Sequence, residues 1–460
     1  MKENGKKEKG YSSEQFLRFL IPSLIGAAVF LLPIPKDGTF TIIIGLLSDF
    51  LRAVLKQQLP YIGMGLVCLS AALTFYAVVA KPDWITSNEF LRNLFIVKPL
   101  WSVSRVLGAV LYVMVVYKIG PEFVWSMDTG GTPALVLIPI LVALFVFTSF
   151  LIAPLTDFGF MEYVGTLARK VMKPLFTIPG RASIDCLASW LGSPSVGVVI
   201  TRKMHSEGYY SGREASVIAT TFSLVGIGYI YVMADFVGMP EMYFPLLFST
   251  YVVSLIMAVV MPRIWPLSKK PDTYYDKKTD SIVEKGNIRE DSIPEGYTLH
   301  QWAVKTAVDR AQNSNLGTVW RTGTETLLTI YVSTLPLVMA WGTIVLIIAT
   351  YTPVFNWLGY PFYLLLELVR MPEAYDTAPA FVLGFADQFL SAVIGAARTA
   401  RAAKFMCAGI SITGLIYMTE VGVLILDSKI PMDFKDLLIV YVQRAILTVF
   451  LLAPFAYWLT

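Results

Sequence analysis

The sequence predicts an all-α polytopic membrane protein with about 10–12 hydrophobic segments and two homologous, inverted repeats, each containing a broken or re-entrant helix. Of its 460 residues 55% are hydrophobic and only 15% are charged, whereas a typical soluble protein has about 25% charged residues. Mean hydropathy is +0.62, and apolar runs of roughly 20 residues, long enough to span a bilayer, recur along the chain. These runs are continuous rather than alternating, which excludes a β-barrel.

The chain begins with a polar tail that is followed by hydrophobic helices. Residues 1–14 contain four lysines and are expected to form a cytoplasmic tail. Residues 15–130 are assigned to N-terminal transmembrane helices, and the apolar run Phe16–Ile34 is the first of them. Asp49 and Arg52 lie about one helical turn apart in this part. They either neutralise each other within the membrane or lie at its surface.

Residues 131–264 form the first predicted repeat. Within it, Gly192-Ser193-Pro194 interrupts an apolar segment, because glycine permits a bend and proline lacks a backbone donor. In order, the repeat contains a span (Ala134–Leu155), an interfacial helix (Phe158–Leu175), a broken element (Ser183–Lys203) and two further spans (Val217–Val237 and Tyr243–Val260).

A polar loop and the second repeat complete the chain. Residues 265–325 form the loop, which is expected to be cytoplasmic because both of its ends are basic. Residues 326–460 contain a span (Leu327–Thr350), a short or interfacial helix (Phe355–Leu368), a second broken element (Ala378–Ala403), a span (Phe405–Leu426) and a final helix (Leu437–Leu459). Three predicted spans separate the two broken elements. This odd number places the second repeat upside down relative to the first.

The repeat is visible residue by residue. A motif in the first broken element recurs in the second at a distance of 198 positions (193 to 391): Ser193, Gly197 and Thr201 match Ser391, Gly395 and Thr399. The spacing places each triplet on one face of a helix. A second motif pairs Ser223–Tyr229 with Ser411–Tyr417. Such stripes either let membrane helices pack closely or belong to a transporter-type binding site.

The two breaks define a candidate substrate site. Breaks at membrane depth leave backbone groups that only protein or a water-filled cavity can satisfy, so we expect the two broken segments to face each other. The candidate substrate-binding residues are Gly192, Ser193, Pro194, Ser195, Thr201, Asp387, Gln388, Ser391, Arg398 and Thr399. Glu420 is the candidate for coupling to a proton or cation. Its alternative role is an ion pair with an arginine of another helix.

Several function classes find no support in the sequence. It has no phosphate-binding loop, dinucleotide fingerprint or H-E-x-x-H motif, and Ser193–Gly197 only approaches the nucleophile motif G-x-S-x-G. We therefore expect no enzymatic activity, cofactor or metal site. The three cysteines have no C-x-x-C partner, and the two histidines lie in polar connections where solvent is expected around them. The net charge of +4, with scattered lysines, gives no sign of nucleic-acid binding.

At Ile178-Pro179-Gly180, Gly192–Gly197 and Thr201-Arg202 the chain resembles the Gate, or "nucleoside recognition", domain. Concentrative nucleoside transporters, the membrane half of bacterial ferrous iron transporters and spore maturation proteins share that domain. The resemblance covers Ala134–Thr460. The length, the basic tail and the mid-chain loop are most similar to the bacterial YjiH family of inner-membrane proteins.

The chain departs from these families at the positions that choose a substrate. Ser193 stands where the ferrous iron transporters tend to have a cysteine, and the chain lacks their GTP-binding domain. The nucleoside transporters use acidic and amide residues in both broken elements. Here only the second element offers them, as Asp387 and Gln388. The resemblance therefore implies a fold more strongly than a substrate.

The sequence and the resemblance together predict a secondary transporter in the bacterial inner membrane. A small polar solute, nucleoside-like or another metabolite, is expected between the two broken helices. The alternative is a non-transporting membrane subunit that assembles with another Gate-domain protein, as the spore maturation proteins imply. An intramembrane enzyme is a third, weaker hypothesis. The expected partners are the lipid bilayer, the solute or ion, and a second copy or a second Gate-domain protein.

Overall fold

The computed structural model describes residues 11–36, 39–191, 194–222, 224–276, 281–284, 293 and 296–460. Within these residues seven helices are long and apolar enough to cross a membrane. They are Ser13–Leu31, Leu59–Ala80, Pro99–Tyr117, Thr132–Thr156, Pro240–Arg263, Leu316–Tyr351 and Phe434–Leu459. The prediction of an all-α polytopic membrane protein is confirmed.

The N-terminal part of the described chain consists of seven helices and a short strand pair. The helices are α1 (Ser13–Leu31), α2 (Ile43–Val54), α3 (Leu59–Ala80), α4 (Asp83–Thr86), α5 (Glu89–Phe95), α6 (Pro99–Tyr117) and α7 (Glu122–Trp125). Strands β1 (Ile34–Lys36) and β2 (Thr39–Thr41) pair antiparallel between α1 and α2. Helix α3 ends at Lys81, whose φ is +44°, and Pro82 follows it, so the helix cannot continue.

The first repeat begins with a π-helical turn, Thr132–Leu137. The helices that follow are α8 (Ile138–Leu151), α9 (Ala153–Thr156), α10 (Phe160–Val171), α11 (Ala182–Leu191), α12 (Pro194–Ser206), α13 (Gly212–Thr221), α14 (Ile227–Phe236) and α15 (Tyr243–Val260). Helices α11 and α12 pack on each other and are called hairpin 1 below. Their contact is close, because a Cβ atom added to Gly197 would lie 2.5 Å from Cβ of Ser189.

The second repeat follows the polar connection. That connection contains the antiparallel strands β3 (Tyr274–Asp276) and β4 (Ser281–Val283) and helix α16 (Leu299–Gln312). The helices after it are α17 (Leu316–Thr329), α18 (Leu335–Tyr351), α19 (Val354–Leu368), α20 (Ala374–Ala386), α21 (Gln388–Ala396), α22 (Arg401–Thr413), α23 (Val421–Leu426) and α24 (Phe434–Leu459). Helices α20 and α21 form hairpin 2, in which the Ser391 hydroxyl donates to the Ala380 carbonyl at 2.7 Å.

Both repeats show the same order of elements. A long span leads to a short helix, a hairpin, an interrupted helix and a second long span. The hairpin arms have 9 to 13 residues and are therefore roughly 14–20 Å long, too short to cross a hydrocarbon core of about 30 Å. If each repeat crosses the membrane with its two spans and its interrupted helix, three crossings separate equivalent points. The second repeat is then inverted.

Two predicted spans are interrupted where the sequence analysis expected continuous helices. Val217–Val237 is divided between α13 and α14, and Phe405–Leu426 is divided between α22 and α23. The second break includes Leu415, whose φ of +59° is incompatible with a right-handed helix. The bend of hairpin 2 is at Asp387, which is one turn before the position that the 198-residue repeat predicts for it. Hydropathy did not reveal these breaks, because the few polar residues at them leave the surrounding segments apolar on average.

Among the described residues the hairpins pack more extensively on the opposite repeat's interrupted helix than on each other, and the expectation that they meet face to face stays a prediction. Each packs against the interrupted helix of the other repeat: α12 against α23, and α21 against α14. Because each hairpin packs on a helix of the other repeat, elements of both repeats lie together where they meet.

The first charged pair of the chain is part of a larger cluster. Arg52 pairs with Asp49, and its Nη1 also lies 2.9 Å from Asp235 of α14. The cluster thus joins the N-terminal helix α2 to the first repeat. It also gives Asp235, an isolated acid in an apolar sequence, a cationic partner.

Candidate functional site

The bend of hairpin 2 is fixed by the carboxylate of Asp387. Its Oδ1 accepts a hydrogen bond from the Phe389 N–H at 2.8 Å, which caps the N-terminus of α21. Its Oδ2 accepts from the Thr419 hydroxyl at 2.7 Å. Thr419 lies in the break between α22 and α23, so this bond joins the hairpin to the interrupted helix. Both carboxylate oxygens of the buried Asp387 are therefore used to hold structure.

Backbone hydrogen bonds reinforce the same junction. The N–H groups of Met418 and Thr419 donate to the carbonyls of Phe385 and Ala386, at 2.9 and 3.2 Å. These donors are free because the helix is broken, and these carbonyls are free because α20 ends at the bend. Each break thus satisfies part of the other. This is the condition under which irregular backbone persists at membrane depth.

The break between α22 and α23 also presents side chains. The Tyr417 hydroxyl donates to Oε2 of Glu420 at 3.0 Å, and the Ser411 hydroxyl donates to the Gln388 carbonyl at 2.5 Å. Tyr417 is buried, whereas Glu420 is partly exposed. This hydrogen bond with tyrosine tests neither of the two roles that the sequence analysis left open for Glu420, and both stay predictions. Arg398, just after α21, pairs with Asp376, and Arg401, the first residue of α22, pairs with Glu241.

The first repeat contributes Tyr229, from the first turn of α14. Its ring lies 4.8 Å from that of Phe389, and its hydroxyl is within electrostatic range of Asp387, Tyr417 and Glu420. Tyr229 and Tyr417 occupy the same position in the repeated motif Ser223–Tyr229 and Ser411–Tyr417. The two repeats therefore bring equivalent tyrosines to one place.

We call this set the central polar cluster; its members are Tyr229, Asp387, Gln388, Tyr417, Thr419 and Glu420. Two of its polar atoms have no hydrogen bond of ordinary geometry with any described residue, namely Oη of Tyr229 and Oε1 of Gln388. They remain unpaired although the Tyr229 hydroxyl lies close to the Gln388 amide. Each buried polar atom without a partner costs about 1–3 kcal/mol. Oε1 of Gln388 is thus a buried acceptor without a partner among the described residues.

The space beside the cluster is small. A cavity of about 10 Å³ adjoins Asp387, room for about one water molecule. Its other lining residues are apolar and come from both repeats: Pro133, Leu137, Val338, Gly342, Leu346, Phe389, Leu390 and Val393. A solute larger than water can enter only if the hairpin or an adjoining helix moves.

Hairpin 2 places its predicted site residues at two different ends. Asp387 and Gln388 lie at the bend, in the cluster. Thr399 and Arg398 lie at the open end, where Glu373 accepts hydrogen bonds from the Thr399 hydroxyl and from the N–H groups of Thr399 and Ala400. Arg398 also contacts Asp376 there at 3.2 Å. About ten residues of helix, roughly 15 Å, separate the two groups, and Ser391 is used within the hairpin.

Fewer of the predicted site residues of hairpin 1 lie within the described part of the chain. Gly192 and Ser193 lie outside the described residues, as does the side chain of Ser195. Pro194 is the buried first residue of α12, where a missing N–H does no harm. The Thr201 hydroxyl donates to the Gly197 carbonyl at 2.8 Å within its own helix.

The structure corrects the expectation that His205 is solvated. It is buried at the end of α12, where Nδ1 lies 2.9 Å from the Tyr210 carbonyl and Nε2 lies 3.1 Å from the Lys429 carbonyl. Lys429 belongs to the second repeat. His205 therefore joins the open end of hairpin 1 to the segment that follows α23.

The chain resembles known proteins in sequence. The chain is 44% identical over 443 residues to the uncharacterized protein BpOF4_10220 of Alkalihalophilus pseudofirmus, covering 96% of this chain and 94% of that one. The two proteins belong to one family. Residues 134–240 match the Gate family, described as nucleoside recognition, which confirms the predicted Gate domain. The matched segment runs from the first span of repeat one to the end of its interrupted helix.

Solved structures of CNTnw share a similar arrangement of elements. The inward-facing, substrate-bound state has a TM-score of 0.43 and 13% identity, and covers 91% of this chain and 99% of that one. A double variant in an outward-facing state has a TM-score of 0.41 and 14% identity, with coverages of 90% and 98%. The assignment to the YjiH family stays a prediction.

Proposed function

We propose that the protein is a secondary transporter of a small polar solute, which binds at the central polar cluster. The observation that carries this proposal is the meeting of Tyr229 and Tyr417, equivalent residues of two repeats, beside a buried amide oxygen without a partner. A solute with a hydroxyl or N–H group would donate to Oε1 of Gln388, and an acceptor would receive the Tyr229 hydroxyl. The Gate match makes nucleosides the first solutes to test.

Movement is required for transport, and the contacts indicate where it occurs. The cavity beside Asp387 holds about one water, so the present arrangement is closed around the cluster. Each hairpin leans on the interrupted helix of the other repeat. Displacing a hairpin would therefore open the cluster toward one side of the membrane, as alternating access requires.

Glu420 is the proposed coupling residue. It is the partly exposed carboxylate of the cluster and is hydrogen-bonded to the buried Tyr417. Protonation of Glu420, or a cation bound to it, would change the charge of the cluster without changing its shape. Asp387 is a weaker candidate, because both of its oxygens already hold hairpin 2 to the break.

A ligand screen tests the proposal. Purified protein is heated with nucleosides, amino acids, dipeptides or divalent metals, and a ligand of the folded state raises its unfolding temperature. We expect the same ligand to accumulate in proteoliposomes, and Gln388→Leu to abolish both effects. Gln443→Leu is the matched control, because its amide donates to the Trp265 carbonyl away from the cluster. Uptake that survives Gln388→Leu would remove the cluster from the mechanism.

A further inference from the structure

Arg444 is a fully buried arginine near the middle of the 26-residue helix α24. Its Nε donates to the Thr413 carbonyl at 2.9 Å. Its Nη1 and Nη2 atoms have no hydrogen-bond partner among the described residues, and no described carboxylate pairs with it. A charged group in this position is normally paired or functional.

A second buried arginine, Arg105, shows how this chain satisfies such a group. Arg105 of α6 donates to the Thr74 hydroxyl, the Leu94 carbonyl and the Ser333 hydroxyl, at 2.8, 2.9 and 2.8 Å. Both of its terminal nitrogens are used, and together they join α3 and α6 to the segments around them. Arg444 is buried more deeply but makes a single hydrogen bond, from Nε to the Thr413 carbonyl.

The end of helix α22 explains the hydrogen bond of Arg444 Nε but does not explain why Nη1 and Nη2 are buried. Thr413 is the last residue of α22, so its carbonyl is unpaired within the helix and carries part of the negative end of the helix dipole. Nε satisfies that carbonyl. The two Nη atoms form the outer edge of the guanidinium, and nothing in the helix end requires them.

Arg444 is also close to the elements that form the central polar cluster. Thr413 directly precedes the break that carries Tyr417, Thr419 and Glu420. One turn before Arg444, the Tyr441 hydroxyl donates to the Phe381 carbonyl of hairpin 2 at 2.9 Å. The unpaired edge therefore lies among α24, the end of α22 and hairpin 2, the elements whose separation we expect to open the cluster.

We propose that Nη1 and Nη2 of Arg444 bind an anionic group, the carboxylate or phosphate of the transported solute. The two nitrogens of a guanidinium edge match the two oxygens of such a group, and a bidentate pair is the geometry in which arginine is preferred over lysine. This inference rests on the proposed transport function. It adds that the solute is an acid, so its charge is met by arginine while its neutral polar groups meet Tyr229 and Gln388.

The test uses small anions that fit any carboxylate or phosphate site. Full-length protein in a dilute buffer free of carboxylate and phosphate ions is titrated with formate, acetate, phosphate or chloride, and thermal unfolding is followed. We expect a saturable rise of the unfolding temperature by several degrees with at least one oxyanion, because binding to the folded state alone stabilises it. Arg444→Met should abolish the rise, and Arg444→Lys should weaken it. Arg105→Met should unfold earlier yet keep the full rise.

Three results would overturn the inference: no saturable response of the wild type to any oxyanion, a response that persists in Arg444→Met, or a response to chloride alone. If Arg444→Met does not fold, the Arg444→Lys titration and the wild-type titration decide the matter. Proteoliposomes separate this failure from that of the proposed transport. Uptake of a neutral solute that is unchanged in Arg444→Lys would refute the anion site and leave transport standing. If no solute is taken up but the response to oxyanions is intact, the proposed transport is refuted and the anion-binding site at Arg444 is left standing.

Discussion

Replacing Tyr229 with phenylalanine should stabilise the protein and weaken ligand binding at the same time. The Tyr229 hydroxyl is buried and makes only a distorted contact with the Gln388 amide, so folding gains little from it. Tyr243 is the matched control. It is also buried, but its hydroxyl donates to the Phe30 carbonyl at 3.0 Å. Both substitutions remove one oxygen and keep the ring.

The two variants should differ in the sign of the stability change. Removing a buried hydroxyl without a partner relieves about 1–3 kcal/mol, whereas removing one that satisfies a buried carbonyl costs about 1–3 kcal/mol. The free energies of unfolding of Tyr229→Phe and Tyr243→Phe should therefore differ by at least about 2 kcal/mol. For a chain of this size such a gap corresponds to a few degrees in unfolding temperature.

Ligand affinity supplies the second measurement. If a bound solute uses the Tyr229 hydroxyl, its loss removes one neutral hydrogen bond of about 0.5–1.5 kcal/mol, or roughly a two- to twelve-fold loss of affinity. Tyr243→Phe should bind the same ligand as tightly as the wild type. Thermal unfolding and ligand titration of the three proteins provide both numbers. Equal destabilisation by the two variants, or unchanged affinity in Tyr229→Phe, would refute the reasoning.

Three further predictions concern coupling, orientation and pH. The Glu420→Gln variant should insert normally but should lose uptake, or lose the dependence of uptake on pH and sodium. If uptake in proteoliposomes keeps that dependence, Glu420 has no role in coupling and only forms its hydrogen bond. In a cysteine-free background, His300→Cys should resist impermeant thiol reagents in intact cells, whereas Asp376→Cys, one crossing later, should react. Labelling of His300→Cys would reject a cytoplasmic connection. At the open end of hairpin 2, hydrogen bonds from Thr399 hold the pKa of Glu373 below its usual value. Its stabilising effect is therefore present above the usual carboxylate range and is lost as pH falls through the lowered pKa. The difference in unfolding temperature between wild type and Glu373→Gln should shrink on acidification, and a constant difference would contradict this assignment.

Much of the architecture is predictable from hydropathy and from the repeated residues. Long apolar runs identify the spans, since about 20 apolar residues have few other uses. The match of Ser193, Gly197 and Thr201 with Ser391, Gly395 and Thr399 locates both hairpins within a turn. That match is a packing signal as well as a site signal, because Gly197 allows α12 to approach Ser189 of α11.

The cluster was harder to predict, because its members meet only through packing between the repeats. Tyr229 and Tyr417 were already visible as equivalent ends of the second motif, but no local pattern shows that α14 packs against α21. Likewise, Thr399 and Arg398 looked available in sequence. Glu373, which binds Thr399, lies outside the motif at a φ of +53°, a conformation that no periodicity indicates. Periodicity assigns a residue to a face, whereas its partner depends on the tertiary fold.

The contacts of hairpin 2 indicate which of its hydrogen bonds would break during the proposed transport. At the open end, Glu373 precedes α20 and holds the chain after α21, so the two arms are tied together and move as one body. At the bend, the bonds from Thr419 and Met418 join the hairpin to a different helix. Opening the cluster therefore requires the second set to break and leaves the first intact. Because the hairpin also packs on α14, its displacement uncovers Tyr229 of the opposite repeat. One rigid movement thus exposes groups from both repeats together.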